Sequence, residues 1–273
     1  RLNDYKSTNP IAVGDKVYYE KEGENAQIDS LIDRRNYIIR KSNNLSKQTQ
    51  VIAANLDQAV LVVTLAFPHT SLGFIDRFLL TAEAYHIPSI IVFNKIDIYD
   101  EAALGVLEEY EKIYSSIPYP IFRVSAKDGR GLEELKSALK GKTTLISGHS
   151  GVGKSTLLNA IIPGLEQKTG EISNYSLKGK HTTTFAEMFK MDENSRIIDT
   201  PGIKDFGIVD IKDHEISGYF PEMRKFISDC KFSKCLHLNE PKCAVIDAVE
   251  QGLINEYRYE SYLSILRNEE THH

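Results

Sequence analysis

The most chemically specific stretch of the chain runs Gly148-His149-Ser150-Gly151-Val152-Gly153-Lys154-Ser155, with Thr156 directly behind it. The pattern G-x-x-x-x-G-K-[ST] lets successive backbone N–H groups wrap a β-phosphate, because glycines accept backbone angles that bulkier residues resist. In that arrangement Lys154 reaches the β- and γ-phosphates and Ser155 offers its hydroxyl to Mg²⁺. The flanks suit the task. Thr143-Thr144-Leu145-Ile146-Ser147 reads as a buried strand, and Thr156 to Ile162 as a helix ending near Pro163-Gly164. The loop would then sit at a helix N-terminus, where anions bind.

A phosphate cradle alone selects no base. Asn94-Lys95-Ile96-Asp97 follows the apolar strand Ser89–Phe93, at a strand end from which a loop can touch a ligand. The Asp97 carboxylate can accept from two adjacent guanine N–H groups, and adenine presents no such pair. Ser125-Ala126-Lys127 follows the strand Ile121–Val124 and fits a supporting loop whose backbone reads the guanine carbonyl. Each short motif is weak alone; three at strand ends in one chain are not. Their order is reversed relative to ordinary GTPases, since the base-reading residues precede the phosphate loop.

Two further elements lie downstream. Asp199-Thr200-Pro201-Gly202 ends the strand Arg196–Ile198, where Asp199 would hold the magnesium shell and the Gly202 amide would meet the γ-phosphate. His181-Thr182-Thr183-Thr184 ends a polar stretch that reads as a switch ordered by the γ-phosphate and its metal. Thr182 or Thr183 would complete the magnesium shell, with Thr183 as the working assignment. Ile203 stands where many GTPases carry a water-orienting glutamine, and its side chain has no hydrogen-bonding atom. His181 is the nearest polar group that could orient or deprotonate that water. The expected catalytic set is therefore His181, Lys154 and Thr183.

A second constellation is metallic. All three cysteines fall in one window, Cys230-x4-Cys235-x-His237-x5-Cys243. Three thiolates and an imidazole make a closed tetrahedral Zn²⁺ shell, which serves structure and leaves no open position for catalysis. An odd cysteine count argues against a disulfide framework. Little apolar sequence lies inside the window, so metal binding and local folding should be coupled.

These motifs require an α/β scaffold. Alternating strands and helices fill roughly residues 53–218, starting from the apolar run Ala59–Leu65, as expected for a parallel sheet covered by helices. Short strands at Val13–Val17 and Tyr37–Arg40 suggest a small β-domain over 1–52, and short helices should surround the cysteines over 219–273, the last from Asn255 to about Arg267. With 273 residues and 41% hydrophobic content, the chain can bury more than one core. No apolar run approaches the ~18 residues needed to span a bilayer. Cysteines used as metal ligands point to a reducing compartment, the cytoplasm. The formal net charge of −5 excludes a general electrostatic grip on nucleic acid. Any RNA contact must be local: Arg34, Arg35, Arg40, Lys41 and Lys47 beside Tyr37 form the densest basic run of the β-domain, and Lys231 and Lys234 a second patch.

Taken together, the circular order, Gly-His-Ser-Gly-Val-Gly-Lys-Ser, Gly179-Lys180-His181-Thr182-Thr183-Thr184, Asp-Thr-Pro-Gly and the cysteine knuckle resemble the RsgA (YjeQ, YloQ) family of small-ribosomal-subunit biogenesis GTPases. Ala53–Gln58 and Gly73–Phe78 are similar to segments of the same family. The resemblance implies an N-terminal OB-fold β-barrel, a circularly permuted GTPase domain and a zinc-binding helical C-terminal domain. It also implies GTP hydrolysis stimulated by the 30S subunit during late assembly, rRNA contact and a monomer. Because the chain begins at Arg1 and its opening resembles the middle of the family's OB domain, the first barrel strands are expected to be missing. Lys180 stands where family members often have arginine. Two other readings stay open: a zinc-dependent RNA-binding protein that only senses GTP, and a metabolic phosphotransferase, against which Asp97 argues.

Overall fold

In the computed structural model the described residues are 6–7, 10–23, 25–41, 48–167, 186–200 and 211–268. The chain opens with β1 (Lys6–Ser7), β2 (Val17–Glu22), β3 (Asn25–Leu31), β4 (Tyr37–Lys41) and β5 (Gln48–Ala54). These five strands form two sheets, a β2–β3 hairpin and a three-stranded sheet ordered β1–β5–β4, and among the described residues no ladder joins them. Val13–Val17 is mostly a turn and not a strand. Asp15 closes it by accepting from the Ala12 amide at 2.8 Å, and only Val13 bridges to Ala53. Gly14 (φ +92°) is required there, because a Cβ would stand 2.1 Å from the Ala54 carbonyl oxygen.

The central sheet comprises β6 (Gln58–Val63), β7 (Ser89–Phe93), β8 (Ile121–Arg123), β9 (Thr143–Ser147), β10 (Glu187–Lys190) and β11 (Arg196–Asp199), in the spatial order β10–β11–β9–β6–β7–β8. All neighbours are parallel except the edge pair β10–β11. The helices α1 (Leu72–Ala84), α2 (Glu101–Tyr114), α3 (Leu132–Leu139) and α4 (Lys154–Ile161) cover it. Alternation along the strands decides which helix goes where. Leu61, Val63, Ile91 and Phe93 face one core with Ile75, Phe78 and Leu79 of α1 and Leu107 of α2. Val60, Val62, Ile90 and Val92 face the other with Leu135 and Leu139 of α3 and Leu157 and Ile161 of α4. Burial on both faces explains why these strands read as unbroken apolar runs. Parallel strands also bring the loops after β6, β7, β8, β9 and β11 to one rim of the sheet.

The C-terminal part carries α5 (Asp213–Ile216), α6 (Pro221–Arg224), α7 (Ala244–Glu250) and α8 (Glu256–Leu266). Asn255 caps α8, its side chain accepting from the Tyr257 amide at 3.0 Å. The core-poor lobe expected around the cysteines gives way to a third apolar cluster, in which Cys235 and Cys243 pack with Ile216, Phe220, Met223, Val245, Ile254 and Tyr262. Leu80 of α1 belongs to the same cluster and joins the lobe to the central sheet. No helix among the described residues is long and apolar enough to cross a membrane.

Candidate functional site

The rim of the sheet assembles the separated motifs. Gly148 leaves β9 beside β6, where a Cβ would lie 2.5 Å from the Val62 carbonyl oxygen. Gly151 (φ +86°) and Gly153 (φ +88°) both need left-handed backbone, and a Cβ on Gly153 would meet Asn94 Nδ2 at 2.5 Å. The loop is wound tightly enough that Val152 is buried in the core below it. Ser150 is exposed, and Ser155 and Thr156 on the first turn of α4 are half-buried. The His149 ring lies on Phe74 of α1, with centroids 3.7 Å apart and planes inclined by 31°.

Asn94 holds the loops together. Its Nδ2 donates to the Val152 carbonyl at 2.8 Å, and its Oδ1 accepts from the Ala126 amide at 3.1 Å. Lys95 (φ +65°) lays its stem across the rim, and its Nζ donates at 2.6 Å to each of the Gly151 and Phe67 carbonyls. Burial pushes the Lys95 ammonium below the usual lysine range, against the opposing pull of Asp97. Asp97 Oδ1 accepts from Ser125 Oγ at 2.8 Å, which fixes the plane of the carboxylate, and Ser125 Oγ itself accepts from the Asp128 amide at 3.2 Å. Lys127 is exposed on the same loop. The structure therefore brings together Asn94, Lys95, Asp97, Ser125, Ala126 and the 148–155 loop, although at least 20 other residues separate even the nearest motifs in sequence.

On the other flank Lys154 Nζ stands 2.8 Å from Asp199 Oδ1, an ion pair whose angles miss hydrogen-bond alignment, and donates to the Thr200 carbonyl at 3.3 Å. Thr200 Oγ1 anchors this strand end to β9 by donating to the Ile146 carbonyl at 3.3 Å. The partly buried ammonium thus rests on a carboxylate and a carbonyl, acceptors that a phosphate oxygen could replace. His181, Thr182, Thr183, Gly202 and Ile203 lie outside the described residues.

The cysteine window forms a compact shell. One ligand atom from each of Cys230, Cys235, His237 and Cys243 lies within 4.8 Å of the others. Cys230 Sγ is 3.9 Å from Cys243 Sγ and 3.7 Å from His237 Nδ1, and His237 Nδ1 is 3.2 Å from Cys243 Sγ. A tetrahedral Zn²⁺ with thiolate and imidazole ligands needs S···S and S···N edges of about 3.8 and 3.6 Å, so the residues fit that ion. Burial pushes the Cys235 thiol up and the Cys243 thiol up to about 12, so a cation at the centre would be needed to hold them as thiolates. His237 Nε2 is 3.1 Å from Ser217 Oγ, which suits donation from Nε2 while Nδ1 faces the sulfurs. Glu240 shapes the loop by accepting from the Leu236 and Leu238 amides, each at 2.7 Å.

Sequence reasoning did not anticipate the bridging role of Asn94, the Asp97–Ser125 bond, Ser217 behind the imidazole, or the Phe74–His149 contact. Each pairs residues remote in sequence, and no local pattern announces them. Of the basic run of the β-domain, Lys47 and the side chains of Arg40 and Lys41 lie outside the described residues, and Arg35 stays exposed while bonded. Arg34 is spent on Asp15 at 2.6 Å, and Arg35 on the Leu56 carbonyl and Asp57 at 2.8 and 2.7 Å. Tyr37 is half-buried near Tyr85.

A parallel sheet with a phosphate loop, a guanine-type base loop preceding it in the chain, and both at one rim defines a circularly permuted phosphate-loop GTPase. Residues 31–209 match the RsgA GTPase family. The chain is 56% identical over 272 residues to the small ribosomal subunit biogenesis GTPase RsgA 2 of Bacteroides thetaiotaomicron, covering 99% of this chain and 87% of that protein. It is 54% identical over 275 residues to the RsgA of Flavobacterium psychrophilum, covering 99% and 84%. The crystal structure of YjeQ from Thermotoga maritima superposes with a TM-score of 0.78 at 42% identity over 94% of this chain and 84% of that one. That of YloQ, a circularly permuted GTPase, gives 0.74 at 33% identity over 96% and 81%. The chain belongs to the RsgA GTPase family and is a GTP hydrolase.

Proposed function

We propose that this GTPase acts in the biogenesis of the small ribosomal subunit, as the names of its relatives describe for those proteins. In this reading it binds the 30S subunit and its rRNA, hydrolyses GTP to GDP and phosphate late in assembly, and works as a cytoplasmic monomer. The observation that supports it is Asn94 bonded to both Val152 and Ala126, which would join motifs in permuted order into one guanine-nucleotide site.

Within that site, Asp97 reads the guanine edge while Ser125, Ala126 and Lys127 support it. Lys95 covers one face of the base. Gly148, His149, Ser150, Gly151, Val152, Gly153, Lys154, Ser155 and Thr156 enclose the phosphates. Mg²⁺, when bound, would neutralise charge on the β- and γ-oxygens; Ser155, Asp199 and Thr182 or Thr183 are the residues to hold it, and the Gly202 amide would meet the γ-phosphate. His181 orients the attacking water, because Ile203 cannot. Cys230, Cys235, His237 and Cys243 hold a structural Zn²⁺.

GTP hydrolysis measured with and without purified small subunits tests this. Slow turnover alone and strong, GTP-selective stimulation by the subunits is the expected result, with the stimulated rate lost in His181→Ala. Absence of stimulation would instead favour a zinc-dependent RNA-binding protein that senses GTP.

A further inference from the structure

Helix α1 is gripped from two directions. At its first turn Phe74 carries the ring of His149 from the phosphate loop, with centroids 3.7 Å apart. Two residues on, Asp76 is 2% exposed and accepts from Arg258 Nη1 of α8 and, at 2.7 Å, from the Tyr114 hydroxyl of α2. Arg258 is equally buried. Its Nε donates to Glu222 Oε1 at 2.7 Å, and its guanidinium lies over the Phe220 ring, 4.6 Å from the centroid. A further turn along, Leu80 packs into the apolar cluster of the cysteine lobe.

One guanidinium thus serves two carboxylates in a water-excluded seat between the lobe and α1. Such a group cannot slide, because any shift leaves a buried charge uncompensated. The helix between Asp76 and Phe74 is less than one turn and packed on the core, so the two residues move as a unit. Where α8 sits therefore determines where the Phe74 ring sits, and the ring bears on the second residue of the phosphate loop.

We propose that Arg258 is a positioning residue for the phosphate loop, holding α1 through Asp76 so that Phe74 keeps His149 and its loop in the nucleotide-ready form. This rests on the reading of residues 148–155 as the phosphate cradle. Coupling of this kind is reciprocal: nucleotide in the cradle must in turn firm the seat of α8. A partner that loads the cysteine lobe would then act on the nucleotide site without touching it.

Hydrogen exchange of the full chain, with and without saturating GDP, tests the coupling in the wild-type protein and in Phe74→Leu, which leaves Arg258 and Asp76 in place. GDP should slow exchange of the α8 amides about fivefold or more in the wild type, the low end of ordinary coupling. At equal occupancy the slowing should largely vanish in Phe74→Leu and return in Phe74→Tyr, which keeps a ring over His149. A merely structural role for Phe74 would change stability and leave the GDP-dependent difference in α8 intact. Protection confined to 148–155 in the wild type, or an undiminished α8 response in Phe74→Leu, overturns the proposal. Failure of GDP to protect 148–155 at all removes the cradle reading and this inference with it.

Discussion

The side-chain amide of Asn94 donates to the Val152 carbonyl at 2.8 Å, joining the end of a base-reading strand to the middle of a phosphate loop 58 positions later. With its oxygen accepting from Ala126, this one buried amide fixes three loops. Asn94→Ala leaves a carbonyl and an N–H without partners, each costing about 1–3 kcal/mol. Thermal unfolding should fall by several degrees and GDP affinity should weaken along with it. Unaltered affinity in the folded variant would contradict the tie between the loops.

Base selection should reside in Asp97. Its carboxylate plane is set by Ser125, and an ionised carboxylate accepting two guanine N–H groups is worth roughly 1.5–3 kcal/mol for each bond. Asp97→Asn should therefore weaken GDP binding on the order of a hundredfold or more, while Asn can donate to the carbonyl that xanthine carries in place of the amino group. Competitive titration with GDP and XDP checks this. A variant that still prefers guanine as strongly as the wild type would remove Asp97 from the base site.

The Arg258 seat should matter for stability as well as for coupling. Removing the cation leaves Asp76 and Glu222 facing each other with no positive charge at that seat, and Glu222 Oε2 is already without a hydrogen-bond partner among the described residues. Breaking a buried pair this way typically costs about 3–5 kcal/mol. Arg258→Ala should show that loss in urea unfolding, with Glu222→Gln in the same chain recovering part of it. A loss below about 1 kcal/mol, the range of exposed pairs, would mean that the pair is solvated.

Metal analysis of the purified protein should find a single Zn²⁺ for each chain, and Cys243→Ala should lose it. Because Cys235 and Cys243 are also part of an apolar cluster, chelation is expected to loosen the lobe, with faster exchange in α7, and not to erase its helices. Zinc retained at the wild-type level in Cys243→Ala would refute the assignment of that thiol as a ligand.

The inner strands β6, β7 and β9 were legible in the sequence because they are buried on both faces and so read as nearly continuous apolar runs, whereas the exposed edge strand β10 carries no such run. Ser89–Phe93 and Thr143–Ser147 form as expected, and α8 forms one residue inside the expected bounds at its start, with Asn255 as its cap. The rim motifs were legible because phosphate and base contacts demand fixed residue types at fixed spacing. What remained hidden is long-range and polar. Arg258 reads as one more exposed arginine on a charged helix, and only the fold shows that it is among the most deeply buried side chains. Val13–Val17 alternates like a strand, yet Gly14 and Asp15 turn it, since a side chain at position 14 would strike the Ala54 carbonyl. Arg34 and Arg35 read as unpartnered basic side chains, and only the fold shows that Asp15, Asp57 and the Leu56 carbonyl bond them, with Arg35 staying exposed.

The most direct measurement is a crystal structure of the chain with Mg²⁺ and GDP. A single nucleotide should lie along the rim, its guanine edge on the Asp97 carboxylate and its β-phosphate on Lys154 Nζ, displaced from Asp199. A nucleotide that meets Lys154 but leaves Asp97 facing solvent would contradict the assembly of one guanine site from permuted loops.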